Sequence, residues 1–227
     1  MRGGVTVRAQ DLNRLPLDVF GQIREMHPLL TPKLTNATIK RAVKDYCYNS
    51  NPRAKREVIR LFGKIENWDV SNVTNMSYMF ASAISFNQPL NNWNVSKVTN
   101  MNKMFMGASS FNQPLDNWNV TKVMYIESMF LRAESFNQPL NNWNVSNVTE
   151  MEGMFTHAES FNQPLNNWNV SKVTDMECMF SNTRAFNQPL NSWNVSNVTD
   201  MSGMFSATRS FNQPLHAPWY HEESESE

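Results

Sequence analysis

The chain has 227 residues, with 20 basic and 20 acidic side chains and no formal net charge at pH 7. The charges are segregated: residues 1–66 carry 13 Lys or Arg against 6 Asp or Glu, residues 67–217 carry 7 against 10, and residues 218–227 include four glutamates. In the basic block the cations alternate with apolar residues at helical spacing, which is typical of solvated helix faces, so we expect no nucleic-acid partner.

Composition also argues against secreted and membrane-bound classes. Two cysteines are too few for a disulfide scaffold. The first residues contain no apolar run long enough for a signal peptide, and no segment reaches the length of a membrane span. We therefore expect a protein without a membrane span that is cytoplasmic or virion-associated rather than exported by the general route.

Residues 1–66 predict a helical N-terminal cap. Apolar residues at helical spacing predict a first helix over about residues 17–26. Thr35 or Asn36 is a suitable N-cap for a second helix, and a third is predicted over residues 53–62, followed by a glycine. We expect these helices to cover the hydrophobic end of the array that follows them.

The array is a word of 25 residues, W-N-V-S-x-V-T-x-M-x-x-M-F-x-x-A-x-x-F-N-Q-P-L-N-x, which the chain repeats six times. The copies begin at Trp68, Trp93, Trp118, Trp143, Trp168 and Trp193. A fixed period of this length indicates stacked units, each of which covers the apolar face of its neighbour. Residues 67–217 therefore predict one elongated repeat domain, and residues 218–227 an acidic disordered tail.

Within one unit the pattern predicts a strand, a short helix and a turn. Leu90-x-x-Trp93-x-Val95 follows the L-x-x-L-x-L step of a leucine-rich repeat, with alternation typical of a strand buried on one face. A helical stripe follows at Met101, Met104, Phe105 and Ala108. The predicted fold class is an α/β solenoid, a leucine-rich-repeat-like stack of six strand–short helix–turn units with a parallel β-sheet.

The repeated aromatic and thioether residues predict a core in which each side chain stacks on its own copy, rather than a cofactor cage. A repeated asparagine is predicted to form an internal amide ladder that satisfies turn carbonyls, at Asn87, Asn112, Asn137, Asn162, Asn187 and Asn212. No arrangement of Ser, His and Asp or of Cys and His indicates a nucleophile. We expect neither catalysis nor a cofactor, a metal or a small-molecule substrate.

The candidate binding residues lie on the polar side of the predicted strands. One column consists of Asp69, Asn94, Asn119, Asn144, Asn169 and Asn194. Such a lattice could hydrogen-bond an extended partner, and it could equally serve only to keep the sheet soluble. The third unit departs from the word at Met124 and Tyr125. This departure either reflects drift or means that Met124, Tyr125 and Leu131 together form a local apolar contact for a partner.

The word W-N-V-S-N-V-T-x-M-x-x-M-F-x-x-A-x-x-F-N-Q-P-L-N resembles the repeat of bacterial surface proteins and mycoplasma lipoproteins, the BspA-like branch of leucine-rich repeats. The resemblance covers about residues 60–217. It implies a solenoid that serves as an adhesion or interaction module.

A second resemblance lies in the N-terminal block. Leu12-x-x-Leu15-Pro-Leu-Asp-Val-Phe-Gly-Gln-Ile23 resembles the opening of an F-box, and the F-box-like segment covers about residues 12–30. It implies docking to a ubiquitin-ligase scaffold, whereas a plain capping helix needs no such role. We therefore expect a non-catalytic repeat protein that mediates protein–protein or surface interaction through the solenoid face. The alternatives are an F-box-type substrate adaptor and a structural component of a virion or cell coat.

Overall fold

The structure is a computed structural model, and it describes residues 33–214. Two α-helices precede the repeats, α1 (Asn36–Cys47) and α2 (Pro52–Phe62), and a short 3-10 turn (Ile65–Asn67) follows them. The second and third predicted helices are thereby confirmed. The helix predicted over residues 17–26, the F-box-like segment and the acidic tail lie outside the described residues.

Local capping explains where the two helices begin and end. At the start of α1, the N–H of Thr35 donates to Oγ1 of Thr38 at 2.9 Å. At the start of α2, Oδ1 of Asn51 accepts from the N–H of Arg53 at 2.9 Å. Gly63 ends α2 with a φ of 75°, a left-handed conformation that glycine adopts at little cost.

Backbone hydrogen bonds join each 25-residue unit to the next. Isolated parallel bridges pair Asn75 with Asn100, Asn100 with Tyr125, Tyr125 with Glu150, Glu150 with Asp175, and Asp175 with Asp200. From the first unit, the N–H groups of Met76, Tyr78, Phe80 and Ser82 donate to carbonyls of the second at 2.6–2.9 Å. The intervening N–H groups of Met79, Ala81 and Ala83 donate to the carbonyl three residues earlier. We call residues 75–82 and their equivalents in the later units the ladder segment.

The internal structure of a unit differs from the predicted strand, short helix and turn. Within residues 33–214 the repeats contain no continuous strand at Trp93–Val95 and no α-helix after it. Parallel pairing occurs at the ladder segment instead, in single bridges. The helix is interrupted because two residues per unit have a positive φ, as Lys103 (57°) and Gly107 (68°) do, and a left-handed residue cannot continue a right-handed helix.

The core stacks like on like, as the sequence predicts. Ring centroids are 6.2 Å apart in Trp68–Trp93, 6.3 Å in Trp118–Trp143 and 6.4 Å in Trp168–Trp193. Each indole N–H also donates to a backbone carbonyl; that of Trp118 reaches the carbonyl of Leu90 at 2.9 Å. The tryptophans thus bury their rings and satisfy their one polar group at the same time.

The predicted asparagine ladder is present, with different partners. Oδ1 of Asn87 accepts from the backbone N–H of Asn112 and from Nε2 of Gln113, both at 3.0 Å. The same pair of bonds recurs at the later units. The side chains therefore satisfy amide N–H groups, whereas the prediction assigned them to turn carbonyls.

The helical segment takes the place of a preceding unit. Oδ1 of Asn36 accepts from the N–H groups of Thr74 and Asn75, at 2.9 and 3.1 Å. The hydroxyl of Tyr48 donates to the carbonyl of Ala81 at 2.8 Å. Helix α1 thus lies along the first ladder segment, with Asn36 at one end and Tyr48 at the other, and it satisfies polar groups that the later units satisfy for one another.

Candidate interaction surface

The predicted binding column of asparagines is occupied by its own turns. Oδ1 of Asn94 accepts from the N–H of Ser96 at 3.2 Å and from its hydroxyl at 2.7 Å. The same bond to the N–H two residues later is made by Asp69, Asn119, Asn144, Asn169 and Asn194. These are Asx-turns, in which the side-chain oxygen fixes the local backbone. The asparagines of this column are exposed and Asp69 is half-buried, but their shared feature is a structural one.

The two irregular residues of the third unit occupy ordinary positions in the stack. Met124 replaces a threonine of the other units, and 38 % of it is exposed. Its N–H donates to the carbonyl of Thr99 at 2.9 Å, so the backbone connection survives the replacement. Tyr125 is half-buried and stands in the bridge column between Asn100 and Glu150.

A second surface is formed by the ladder segments, and we call it the ladder face. It consists of three columns outside the hydrophobic core, whose residues are half-buried or exposed except for the buried Ser128 and Gly153. The first is Asn75, Asn100, Tyr125, Glu150, Asp175 and Asp200. The second is Ser77, Asn102, Glu127, Glu152, Glu177 and Ser202. The third is Tyr78, Lys103, Ser128, Gly153, Cys178 and Gly203. These columns vary from unit to unit, unlike the core and the asparagine columns.

The third to sixth units make this face acidic. Six carboxylates lie on it: Glu127, Glu150, Glu152, Asp175, Glu177 and Asp200. Glu127 pairs with Lys103 at 2.5 Å. Burial, together with the neighbouring charges of Glu127 and Asp175, raises the pKa of Glu152 above its ordinary value. The carboxylates are therefore close enough to repel one another, which a cationic partner would relieve.

The opposite end of the ladder face is basic and aromatic. A cleft of about 350 Å³ lies between α1 and the first unit, lined by Lys40, Lys44, Tyr48 and Tyr78, with Ser77, Met79 and Ala81. Tyr48 is 43 % exposed and Tyr78 is 53 % exposed. The ammonium of Lys103 lies 5.7 Å from the centre of the Tyr78 ring. The face thus changes from basic to acidic along the stack.

A second cleft, of about 360 Å³, lies where α1 and α2 meet the loop of the first unit, and Cys47 and Ile84 line it. Burial raises the pKa of the Cys47 thiol to about 12. Burial, followed by the nearby charges of Glu177 and Glu152, also raises the pKa of Cys178. Both thiols are protonated at neutral pH, so neither has the lowered pKa of a nucleophilic cysteine.

None of the helices between residues 33 and 214 is long and apolar enough to cross a membrane. In that same part of the chain, no group of three or more His, Cys, Asp or Glu side chains is arranged to hold a metal ion.

Sequence reasoning missed the ladder face because it placed the outward side chains on a strand that the structure lacks. A signal was present in the third column, where glycine occurs twice among side chains as different as tyrosine and lysine. Glycine at such a position indicates a positive φ, and variation among otherwise identical units indicates side chains that are not needed for packing.

Comparison with known protein families places most of the chain in one family. A family model described as "Mycoplasma protein of unknown function, DUF285" matches residues 53–164 and again residues 139–226. The two matches overlap and together cover most of the chain, including all six units. No curated protein and no solved structure matches the chain.

Proposed function

This chain belongs to the family described as mycoplasma proteins of unknown function, DUF285, and we propose that it is a non-catalytic repeat protein that binds another protein through the ladder face. The observation that carries the proposal is the division of the surface into two kinds of column. The asparagine columns are nearly identical in every unit and are used in internal hydrogen bonds, as at Asn94 and Asn87. The ladder face carries the side chains that differ between units.

We also propose the finer architectural assignment, a solenoid of the BspA-like, leucine-rich-repeat type. The parallel bridges at 25-residue intervals and the stacked indoles support it. In such folds neighbouring units share one continuous core, and the surface that they build together is long enough to contact an extended partner.

The chemistry of the acidic half defines the partner that we expect. Glu150, Glu152 and Glu177 have no cation within ion-pair distance among the described residues, and Glu152 has a raised pKa because of burial and its acidic neighbours. A polypeptide surface that presents Lys or Arg would pair these carboxylates and lower their mutual repulsion. The proposed partner is therefore a protein with a basic surface.

Cys178 offers a direct test, since it lies in the acidic half of the ladder face. In a Cys47→Ser variant, a benzophenone maleimide is attached to Cys178 in a prolonged reaction near neutral pH, because the raised pKa of the thiol slows labelling. The labelled protein is irradiated in an extract of the cells that produce it, and cross-linked products are identified by mass spectrometry. We expect a discrete product with a basic protein surface.

Two controls test whether the cross-link depends on the ladder-face carboxylates and on the position of the label. Glu152→Lys/Glu177→Lys should abolish the product, whereas Glu134→Lys/Glu159→Lys, with the same change of net charge outside the ladder face, should retain it. A label at Ser96→Cys, in a Cys47→Ser/Cys178→Ser background, places the same reagent beside the asparagine column. If that label gives the stronger product, or if the first charge reversal has no effect, the proposal is wrong.

A further inference from the structure

The ladder face carries opposite charges at its two ends, and most of them are unpaired. Of the ladder-face charges in residues 33–214, only Lys103 and Glu127 form an ion pair. Lys40 and Lys44 have no carboxylate within ion-pair distance in this range. The ladder-face carboxylates of the fourth to sixth units, Glu150, Glu152, Asp175, Glu177 and Asp200, have no cation there, whereas Glu159, outside this face, pairs with Arg184. An interface that brings the two ends together would pair both sets.

Helix α1 extends the ladder face by one layer. Asn36 contacts Thr74 and Asn75, and Tyr48 contacts Ala81, so the helix runs along the whole first ladder segment. Lys40 and Lys44 lie between these contacts and line the cleft beside Ser77 and Tyr78. The two lysines are therefore part of the same surface as the carboxylates further along the stack.

We propose that two copies of the chain associate through their ladder faces about a two-fold axis, with the stacks antiparallel, so that Lys40 and Lys44 of each copy meet the carboxylates of the fifth unit of the other. This inference rests on the proposed function, because it uses the same face. A two-fold interface requires a surface complementary to itself, and a surface with one basic and one acidic end meets that requirement only in the antiparallel orientation. A parallel arrangement would bring like charges together.

The arrangement places the axis near the second and third units. Lys103 of one copy then lies opposite Glu127 of the other, so the one existing ion pair can be shared between copies. Met124 and Tyr125 lie in the third unit, and Met124 is 38 % exposed. They give the centre an apolar contact, which is the role that the sequence suggested for them with an unknown partner.

The size of the face sets the expected affinity. Six layers at about 4.8 Å extend over roughly 29 Å, and the face is only a few residues wide. The area of such a face is smaller than the ~800 Å² that each partner buries in a standard stable interface. We therefore expect a weak dimer with a dissociation constant on the order of micromolar. Because charge pairs dominate, the dimer should dissociate as salt is added.

Charge reversal provides the test. The full chain is studied by sedimentation velocity from about 10 to about 300 µM protein, at roughly 50 mM and 500 mM salt. Lys40→Glu/Lys44→Glu reverses the basic end, and Glu152→Lys/Glu177→Lys reverses the acidic end. We expect the unmodified protein to dimerise at low salt and each variant to dimerise at least tenfold more weakly. Arg53→Glu/Arg56→Glu is the matched control on α2, outside this face, and should dimerise normally.

An equimolar mixture of the two reversed variants is the decisive sample. In the antiparallel arrangement each altered end meets a complementary end of the other variant, so the mixture should regain dimerisation. Near-ultraviolet circular dichroism checks that every variant is folded. The proposal is overturned if the unmodified protein stays monomeric, if the mixture stays monomeric while the unmodified protein dimerises, or if either variant dimerises normally.

The Cys178 cross-link separates this inference from the proposed function. With purified protein alone, the labelled chain should give a product of twice the chain mass. A monomeric protein whose label captures a different basic protein overturns the dimer and leaves the proposed function standing. A label that captures neither a second copy nor another protein overturns both.

Discussion

At the scale of single residues, the asparagine ladder shows how one side chain replaces a missing backbone acceptor. Oδ1 of Asn137 accepts from the N–H of Asn162 and from Nε2 of Gln163, both at 3.0 Å. We predict that Asn137→Ala lowers the free energy of unfolding by about 1–3 kcal/mol, because it leaves a partly buried N–H without an acceptor. Urea unfolding measures the loss. Asn142→Ala, at an exposed position five residues away, should change it by less than about 0.5 kcal/mol.

Backbone conformation gives a pair of predictions of opposite sign. Ser82 and Gly107 occupy equivalent positions with φ values of 61° and 68°. A Cβ added to Gly107 would meet its nearest atom at 3.6 Å, an ordinary contact, so the effect of Gly107→Ala is one of backbone strain alone. We expect Gly107→Ala to destabilise the protein by about 1 kcal/mol. We expect Ser82→Gly to stabilise the protein by a smaller amount, because glycine also increases the conformational entropy of the unfolded chain. Thermal unfolding of the two variants should show shifts in opposite directions.

The raised pKa of Glu152 predicts how stability depends on pH. The folded carboxyl holds its proton more tightly than the unfolded one, so ionising it costs stability as the pH rises above the ordinary value of 4.5. Glu152→Gln should therefore be more stable than the unmodified protein at pH 7, and the difference should disappear as the pH falls below 4.5. Denaturation of dilute, monomeric protein at several pH values measures this. A difference that stays constant with pH would contradict the electrostatic explanation.

At the scale of elements, α1 acts as the layer before the first unit. Oδ1 of Asn36 accepts from Thr74 and Asn75, and its Nδ2 donates to Oγ1 of Thr74 at 2.8 Å. We predict that Asn36→Ala leaves α1 helical but exposes the edge of the first ladder segment. Hydrogen exchange at the amides of Thr74 and Asn75 should become faster, while Lys40→Ala, on an exposed position of the same helix, should leave it unchanged.

How far the sequence predicted the structure depended on how local each signal was. Both described helices followed from local signals, an N-cap at Thr35 or Asn36 for the first and apolar spacing that ends before Gly63 for the second. The stacked core followed from identical residues at a fixed interval. The prediction of a helix in each unit was wrong, because a series of turns with hydrogen bonds three residues apart buries the stripe of Met101, Met104 and Phe105 equally well. Whether N–H groups bond within a unit or to the next one depends on a neighbour 25 residues away.

The candidate surface was harder to predict than the core, for a related reason. The alternation of apolar and polar residues around Asn94 correctly predicts that this side chain is exposed. It does not predict that Oδ1 of Asn94 accepts a hydrogen bond from the N–H of Ser96, because the same alternation is compatible with a turn and with a strand. The charges of the ladder face were visible in the sequence, yet their common surface was not. Lys44 and Glu177 lie far apart in the chain and share one face only because α1 stacks as an additional layer.

At the scale of the whole molecule, the period itself is the property that holds the units in register. Removing residues 143–167 deletes one complete unit and joins Asn142 to Trp168, so that every donor of the third unit meets the equivalent acceptor of the fifth. The N–H of Ser128 in the third unit, for example, donates to the carbonyl of Glu152. In the shortened chain the carbonyl of Glu177 takes the position of that acceptor. We predict that this shortened chain folds, with stacked tryptophans and a cooperative unfolding transition at a lower denaturant concentration, because one interface is lost.

Removal of residues 143–154 is the matched control, since it deletes about half a unit. The bridge column and the tryptophan column would then be out of register with the units on either side, and buried methionines and phenylalanines would face polar turns. We expect this chain to lose its near-ultraviolet circular dichroism signal and to unfold without a cooperative transition. If both deletions fold equally well, the units do not depend on a shared register and the stack is not held by its period; if neither folds, the fourth unit makes contacts that its neighbours cannot replace.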